Sequence, residues 1–353
     1  MNNSYLTFWH GKRVLVTGHT GFKGTYLALW LQNLGAEVFG LSLEPTTSPN
    51  LFDDVRLERF CSHNVVDIRD EQKVFNSVKG FDPEIVLHLA AQPLVRDSFS
   101  KPIETISTNV GGTAILLNAL RYCGSFKAAV IVTTDKVYKN KEWVWGYRES
   151  DQLGGYDPYS ASKAASEIIT ASYYQSFFKD KGIGIASARA GNVIGGGDWS
   201  KDRIIPDAIK AWKLKKEVEI RNPNSVRPWQ HVLDTNFSYL ILAQNLYLDS
   251  KLSGAYNFGP ETSEDFTVIE LIELAAATFG GGEFIINSHE SELHETNSLK
   301  LDPSKSKNIL GAKNLFSTRD AIFDTVSWYK DYLDGASALE LCNNSFKKFI
   351  KLL

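Results

Sequence analysis

Short apolar runs recur through the first half of the chain: RVLVT (Arg13–Thr17), EVFGLSL (Glu37–Leu43), VVDIRD (Val65–Asp70), EIVLHLAAQ (Glu84–Gln92), AAVIVTTD (Ala128–Asp135) and GIGIASAR (Gly182–Arg189). Near-continuous apolar runs of this length read as strands buried on both faces, as in a parallel sheet. Between them lie stretches with helical periodicity: TYLALWLQNLG, closing at Gly35; DEQKVFNSV; a long segment from Pro102 to Tyr122 carrying Val110, Ala114, Leu117 and Leu120; and YSASKAASEIITASYY. Strands alternating with helices predict an α/β fold, a doubly wound parallel (Rossmann) sheet.

The pattern breaks after Arg189. ARAGNVIGGGDWSKDRIIPD is glycine-rich and irregular, and mixed elements follow. VEI, VRPWQHV, AYNFG and EFIINS are strand-like; IIPDAIKAWKLKK, TNFSYLILAQNLYL and TVIELIELAAATFG are helix-like. A chain of 353 residues exceeds the roughly 250–300 that one core serves, so two lobes are expected. The first covers 1–189, with 233–257 returning to it; a smaller mixed α/β lobe covers 190–232 and 258–353. KNILG and TRDAIFDTVSWYKDYL read as helices closing the second lobe, and ALELCNNSFKKFIKLL as an amphipathic helix, packed or facing another subunit.

Composition narrows the function classes. With 43% hydrophobic and 22% charged residues the chain is that of a globular protein, and a net charge of -3 without a basic block argues against nucleic acid as the main partner. No apolar run approaches the roughly 20 residues that span a bilayer. MNNSYLTFWHGKRVLVTG enters the first strand without a signal-like apolar region, so the expected setting is the cytoplasm, with no membrane contact. Cys61, Cys123 and Cys342 lack metal or disulfide spacing, and the histidines form no HxxxH or HExxH pattern, so no metal is expected.

The first strand runs directly into TGHTGFKG, with Gly18, Gly21 and Gly24, and then into a helix. In that context the glycines let the backbone approach a pyrophosphate, and the helix N-terminus at Phe22 and Lys23 offers N–H groups and positive potential. The alternative is a tight turn without a ligand. A dinucleotide site of this kind expects an acidic residue after the second strand, for the adenosine ribose. Ser42 stands there, with Glu44 two residues on, and no arginine follows to meet a 2′-phosphate; NAD is expected over NADP, and loosely held. Asp67 and Ile68 are positioned to flank an adenine, and Leu89, Ala90 and Ala91 leave room for a cofactor over the sheet edge. Plain strand-end packing is the alternative for these.

The fifth run opens into Thr134, Asp135 and Lys136, where the carboxyl end of a strand meets the crevice of an open α/β sheet. Tyr159 and Lys163 follow, four residues apart and so on one helical face. An ammonium beside the phenol favours phenolate and would make Tyr159 a base near neutral pH. Taken alone, Asp135 and Lys136 read as a solvated ion pair. Beside a Tyr/Lys pair and a dinucleotide turn they point to acid–base chemistry next to hydride transfer. Arg203, Arg221 and Arg227 are scattered through the irregular region, and arginine suits diphosphate recognition, though a solvated surface place is the common fate of any one of them.

TGHTGFKG, HLAAQ, TTDKVY, YSASK, NVIGGGDW and RPWQHV together resemble the extended short-chain dehydrogenase/reductase family, over about Arg13 to Leu333. TTDKVY is similar to the signature of its nucleotide-sugar 4,6-dehydratases, and TTDKVYKNKEWVWGYRESDQLGGYDPYSASK to those acting on CDP-glucose, which supply bacterial dideoxysugar pathways for surface polysaccharides. The resemblance implies catalytic NAD. It implies that Tyr159, assisted by Lys163, takes the C4 hydroxyl proton, that Lys136 removes the C5 proton and that Asp135 protonates the departing C6 hydroxyl, while Thr134 bonds the C4 oxygen. Asn192, Arg203, Arg227 and Asn257 would hold the nucleotide diphosphate. Dehydratases of dTDP-glucose carry Asp-Glu where this chain has Asp135-Lys136. An amine is therefore the expected base, its pKa lowered by crowding with Lys163 and a positive nicotinamide, and Asp135 is expected to be raised. Dehydratases of UDP-N-acetylglucosamine that invert C5 also show Asp-Lys. A dehydratase or epimerase of another nucleotide sugar stays open, as does a non-catalytic NAD-binding regulator. A homo-oligomer, dimer or tetramer, is expected through helices near 102–122 and 159–178, which pair across subunits in this family.

Overall fold

The structure is a computed structural model that describes residues 4–260, 266–287 and 299–353. The parts of the two-lobe expectation at 1–3, 261–265 and 288–298 lie outside the described residues. Five of the apolar runs form β1 (Arg13–Thr17), β2 (Glu37–Ser42), β4 (Ile85–His88), β5 (Ala128–Val132) and β6 (Gly184–Ala190), whereas β3 (Ser62–Val65) lies ahead of the VVDIRD run and shares only Val65 with it. A further strand, β7 (Gly254–Phe258), comes from AYNFG. All seven pair in parallel in the order β7-β6-β5-β4-β1-β2-β3. Val14 and Val16 pack into the core on one face while Leu15 packs into the core on the other, which is why the runs are apolar throughout. The strand order reverses between β4 and β1, opening a crevice at their carboxyl ends.

The connections are α1 (Phe22–Asn33), α2 (Glu71–Phe81), α3 (Val95–Ser100), α4 over 102–120 and α5 (Pro158–Tyr173). The helix α4 departs from expectation. A π-helical turn at Ser107–Gly111 joins α-helical Pro102–Ile106 to Gly112–Leu120. The turn shifts the buried face, so that Leu116, Leu117 and Leu120 are buried while Val110 and Ala114 are only partly so. Gly112 lets α4 close on the sheet, since a Cβ there would lie 2.6 Å from Ile68 Cγ2.

Beyond β6 come α6 (Ile204–Lys213), α7 (Val232–Leu248), α8 (Val268–Phe279), α9 (Thr318–Leu333) and α10 (Ala338–Leu352). Short ladders link Val193–Ile194 to Gln230–His231, Val226–Arg227 to Phe266–Thr267, and Val218–Ile220 to Phe284–Ile286. The helix α7 lies along the sheet, and β7 adds to its edge beside β6. The helix α10, placed by the sequence with the second lobe, lays Phe346 and Phe349 on Trp30 of α1, and Phe349 on Phe237 of α7. Its apolar positions at helical spacing need a partner, and these aromatics supply one.

Candidate active site

The glycine turn follows β1. Gly18 has φ +75 and an added Cβ would lie 2.7 Å from Ala90 N; at Gly24 it would lie 2.1 Å from Gly18 O. Both contacts demand glycine. At Gly21 an added Cβ would meet only Gly18 O, at 3.4 Å. Gly21 caps α1 without a side-chain bond, so the first-turn N–H groups of Phe22 and Lys23 have neither an intrahelical nor a side-chain acceptor. This cradle fits a pyrophosphate.

Beside it, the Thr20 hydroxyl donates to Leu43 O at 2.8 Å, so the contact at 2.8 Å between Thr20 and Ser42 is a bond donated by Ser42. Ser42 thus ties β2 to the glycine turn, and the exposed Glu44 carboxylate lies 3.7 Å from His63. The Asp67 carboxylate is forked onto Arg69, which holds its pKa down. The side chain of Ile68 is buried against α4, so any ligand contact from residue 68 is by backbone. Leu89 N and Ala90 N bond Thr17 O and Oγ1, each at 3.1 Å, bringing the HLAA strand end against the glycine turn.

A cavity of about 1100 Å³ opens between the strand ends and the second lobe. Thr134, Asp135, Lys136, Tyr159, Phe22, Lys23, Asn192, Arg203 and Arg227 all line it. Thr134 caps a 3₁₀ turn at Asp135–Val137, accepting from Lys136 N, and its hydroxyl donates to Asp135 Oδ1 at 2.8 Å. The Tyr159 phenol faces the same cavity, where Thr134 acts to hold its pKa down. Gly191 lets the carboxylate sit here, because a Cβ on it would lie 2.1 Å from Asp135 Oδ2.

The electrostatics correct one expectation. Burial outweighs the surrounding cations, and Tyr159 is pushed up to about 12; Thr134 and Arg203 act in the opposite sense. Lys163 donates to Val132 O at 3.1 Å, and burial followed by the charge of Lys23 brings it down to about 7. Burial, then Arg203, brings Lys23 down to about 8. Lys136 is lowered, as expected, but chiefly by burial, with Arg203 and Arg227 adding to it against Asp135 and Asp157.

Sequence reasoning stopped at Lys163, yet Glu167 is the next residue at the same helical spacing. Its carboxylate accepts from Thr133 Oγ1 at 2.7 Å and pairs with Arg189 at the end of β6. Arg189 Nη1 reaches the Tyr138 hydroxyl, which donates to Asn257 Oδ1 at 2.6 Å. The i, i+4, i+8 series Tyr159, Lys163, Glu167 was the available signal. Asn257 requires a correction. It is fully buried, its amide donates to Tyr147 O and Asp302 O, and it belongs to the support behind the cavity, away from the lining. Tyr239, also unanticipated, places its hydroxyl 3.5 Å from Lys23 Nζ. Among the described residues no group of three or more His, Cys, Asp or Glu is placed to hold a metal, and no helix is long and apolar enough to cross a membrane.

Residues 15–322 match the GDP-mannose 4,6 dehydratase family. The CDP-glucose 4,6-dehydratase of Salmonella typhimurium is 47% identical over 338 residues, covering 94% of each chain. A probable dTDP-glucose 4,6-dehydratase of Sinorhizobium fredii is 25% identical, with 90% of this chain and 92% of that one covered. Among solved structures, UDP-glucose 4-epimerase of Thermus thermophilus in complex with NAD superposes with a TM-score of 0.78 at 25% identity, over 92% of this chain and 99% of that one.

Proposed function

The chain belongs to the GDP-mannose 4,6 dehydratase family, and on that footing we propose that it is an NAD-dependent 4,6-dehydratase converting CDP-glucose to CDP-4-dehydro-6-deoxyglucose. The meeting of Thr134, Asp135 and Lys136 with Tyr159 in one buried cavity carries the reading; the relative at 47% identity supports its substrate. The lobe of 1–189 with 233–257 holds the cofactor, with α10 packed on it, and the rest of 190–232 and 258–353 holds the nucleotide sugar.

NAD, when bound, accepts hydride from C4 of the sugar and returns it to C6. Gly18, Gly21, Phe22, Lys23 and Gly24 hold its pyrophosphate, the neighbourhood of Ser42, Asp67 and Ile68 its adenosine, and Leu89, Ala90, Ala91, Tyr159 and Lys163 the nicotinamide end. Tyr159 takes the C4 hydroxyl proton. Burial opposes the phenolate, so the cations around it, Arg203 in particular, lower that barrier. The C4 ketone acidifies C5–H, and Lys136, already biased toward its neutral amine, removes that proton. Asp135 gives its proton to the C6 oxygen and water leaves; Lys136 then returns a proton to C5. The proton gained by Tyr159 equals the one lost by Asp135, whose carboxyl group Thr134 bonds. Asn192, Arg203 and Arg227 take the diphosphate end.

We place the enzyme in the cytoplasm, supplying dideoxysugar synthesis for bacterial surface polysaccharide (O-antigen). Exposed Ile103 and Ile106 on α4 and Ile168 on α5 support a homo-oligomer through these helices. The test offers purified protein CDP-glucose, dTDP-glucose, UDP-glucose and UDP-N-acetylglucosamine, with and without added NAD, and follows loss of water by mass. Water lost from CDP-glucose, and not by Tyr159→Phe that still binds NAD, is the expected result. Product from another nucleotide sugar alone would sink the substrate, and no product from any would sink the enzyme.

A further inference from the structure

His88 closes β4 and has no part in the reading above. Its imidazole is buried, with Nδ1 2.7 Å from Thr17 Oγ1 of β1 and Nε2 3.1 Å from Thr113 Oγ1 of α4. The neighbouring bonds fix where each proton lies. The Thr113 hydroxyl donates to Asn109 O at 2.7 Å, so its contact with the ring is a bond donated by His88 Nε2–H. Burial, then the charge of Lys163, brings the imidazole down from 6.5 to about 3, which leaves it neutral with a single N–H. Nδ1 therefore accepts, and Thr17 donates to it while accepting from Ala90 N at 3.1 Å. The bonds form a one-way chain: Ala90 N–H to Thr17, Thr17 to His88, His88 to Thr113, and Thr113 to Asn109 O.

The two ends of this chain lie in the two halves of the site. Ala90 sits against the glycine turn, where Leu89 N also bonds Thr17 O. Asn109 lies in the π turn of α4. Its side-chain amide donates to Ser162 Oγ at 2.8 Å, its Oδ1 accepts from Gln92 N at 2.8 Å, and its carbonyl accepts from Ser166 Oγ at 2.8 Å. Ser162 and Ser166 flank Lys163 on α5. An apolar residue could fill the place of His88 but could not connect its neighbours, whereas a neutral imidazole fixes one acceptor and one donor on a rigid ring. In a buried setting a broken link leaves a donor or acceptor without a partner, which is costly. We propose that His88, as its neutral Nε2–H tautomer, is a positioning residue that holds the cofactor floor at Ala90 in register with Tyr159 and Lys163, and so sets the approach of the nicotinamide to the C4 hydrogen. This inference rests on the proposed NAD-dependent reading and deepens it.

The test uses the full chain and its Thr113→Val, His88→Leu and His88→Gln variants. Nitrogen NMR of histidine-labelled wild type should show His88, assigned by its loss in His88→Gln, as the Nε2–H tautomer at neutral pH. An Nδ1–H or doubly protonated ring overturns the proposal. Thr113→Val breaks one link with little change of shape. It should weaken NAD by about tenfold in calorimetry, the scale of one buried hydrogen bond. At saturating NAD it should slow the first appearance of reduced nicotinamide, on mixing with CDP-glucose, by about tenfold to a hundredfold, as for a small misplacement of reacting atoms. KM for the nucleotide sugar should change little. His88→Leu should do as much or more, and His88→Gln, whose carboxamide again offers one acceptor and one donor, should recover part of both losses. A purely structural imidazole would lower the thermal midpoint of the variants and leave NAD affinity and the hydride step at wild-type values, and that result overturns the proposal. A wild type that turns over another nucleotide sugar corrects the substrate alone, and the rates are then read with that one. A wild type that turns over none sinks the dehydratase reading, and the tautomer and the NAD affinities then decide the inference by themselves.

Discussion

The two walls of the cavity are built to different standards. On the sheet side the reactive groups are locked: Lys163 on Val132 O, Glu167 on Thr133 and Arg189, Thr134 on Asp135, nearly all of it buried. On the opposite side Arg221 is about a third exposed and meets Asp202 at 3.6 Å, a charge contact too long for a hydrogen bond. Proton transfers tolerate little misplacement, so the groups that perform them are fixed before substrate arrives. A large polyanion is gripped by charge over longer distances, so the wall that faces it tolerates looser contacts. Precision and reach are separated in space.

The largest expected effect tests the fixed wall's chemistry. Lys136→Met should lower the rate of water loss by about 10²–10⁴-fold, the usual worth of a general base, while nucleotide binding by calorimetry persists; near-normal turnover would remove Lys136 from the role. Next comes the wall's rigidity. Glu167→Gln or Arg189→Met strands a buried charge and should cost about 3–5 kcal/mol in denaturant unfolding, whereas replacing both by apolar residues should recover much of that. A loss as small as that of a surface pair would show that the two walls do not differ.

A smaller effect concerns pH. Lys163 is lowered from 10.5 to about 7 in the folded chain. Below pH 7 both folded and unfolded chains carry its charge, and the folded one bears the burial cost. As pH rises from 7 toward 10.5 the unfolded chain holds the extra proton, so stability rises, by at most about 1.4 kcal/mol per pH unit. Stability of the cofactor-free wild type measured against Lys163→Met should show that positive slope, and parallel curves would contradict it. The smallest effect belongs to the loose wall: Asp97→Asn, which removes the pair with Lys201, should leave the thermal midpoint within error of the wild type.

What was legible in the sequence was local. β1, β2, β4, β5 and β6 fell largely within apolar runs, while β3, with Ser62, His63 and Asn64, did not; the glycine turn was a contiguous motif, and Tyr159 and Lys163 declared themselves by helical spacing. What escaped depends on partners far apart in sequence. Tyr138 and Asn257 are 119 residues apart, and no spacing announces that Asn257 supports the cavity from behind. The raised phenol of Tyr159 escaped for a different reason. A nearby ammonium can be read from spacing, but the burial that raises the phenol is known only once the chain is packed. The π turn at Ser107–Gly111 falls in a segment with good helical periodicity, where one inserted residue changes the buried face without changing the composition.

The path of β7 has a consequence for how the molecule is made. β6 is buried along its whole length, with β5 on one side and β7 on the other. During synthesis β6 emerges first, and its outer edge stays bare until the ribosome has passed the first part of the cavity's far wall, 190–232, and released Gly254–Phe258. An unpaired apolar edge invites pairing with other chains. A fragment ending near residue 190 is therefore expected to aggregate and not to serve as a stand-alone cofactor module. The last strand of the sheet reaches its place only after the intervening segment, 191–253, has been made.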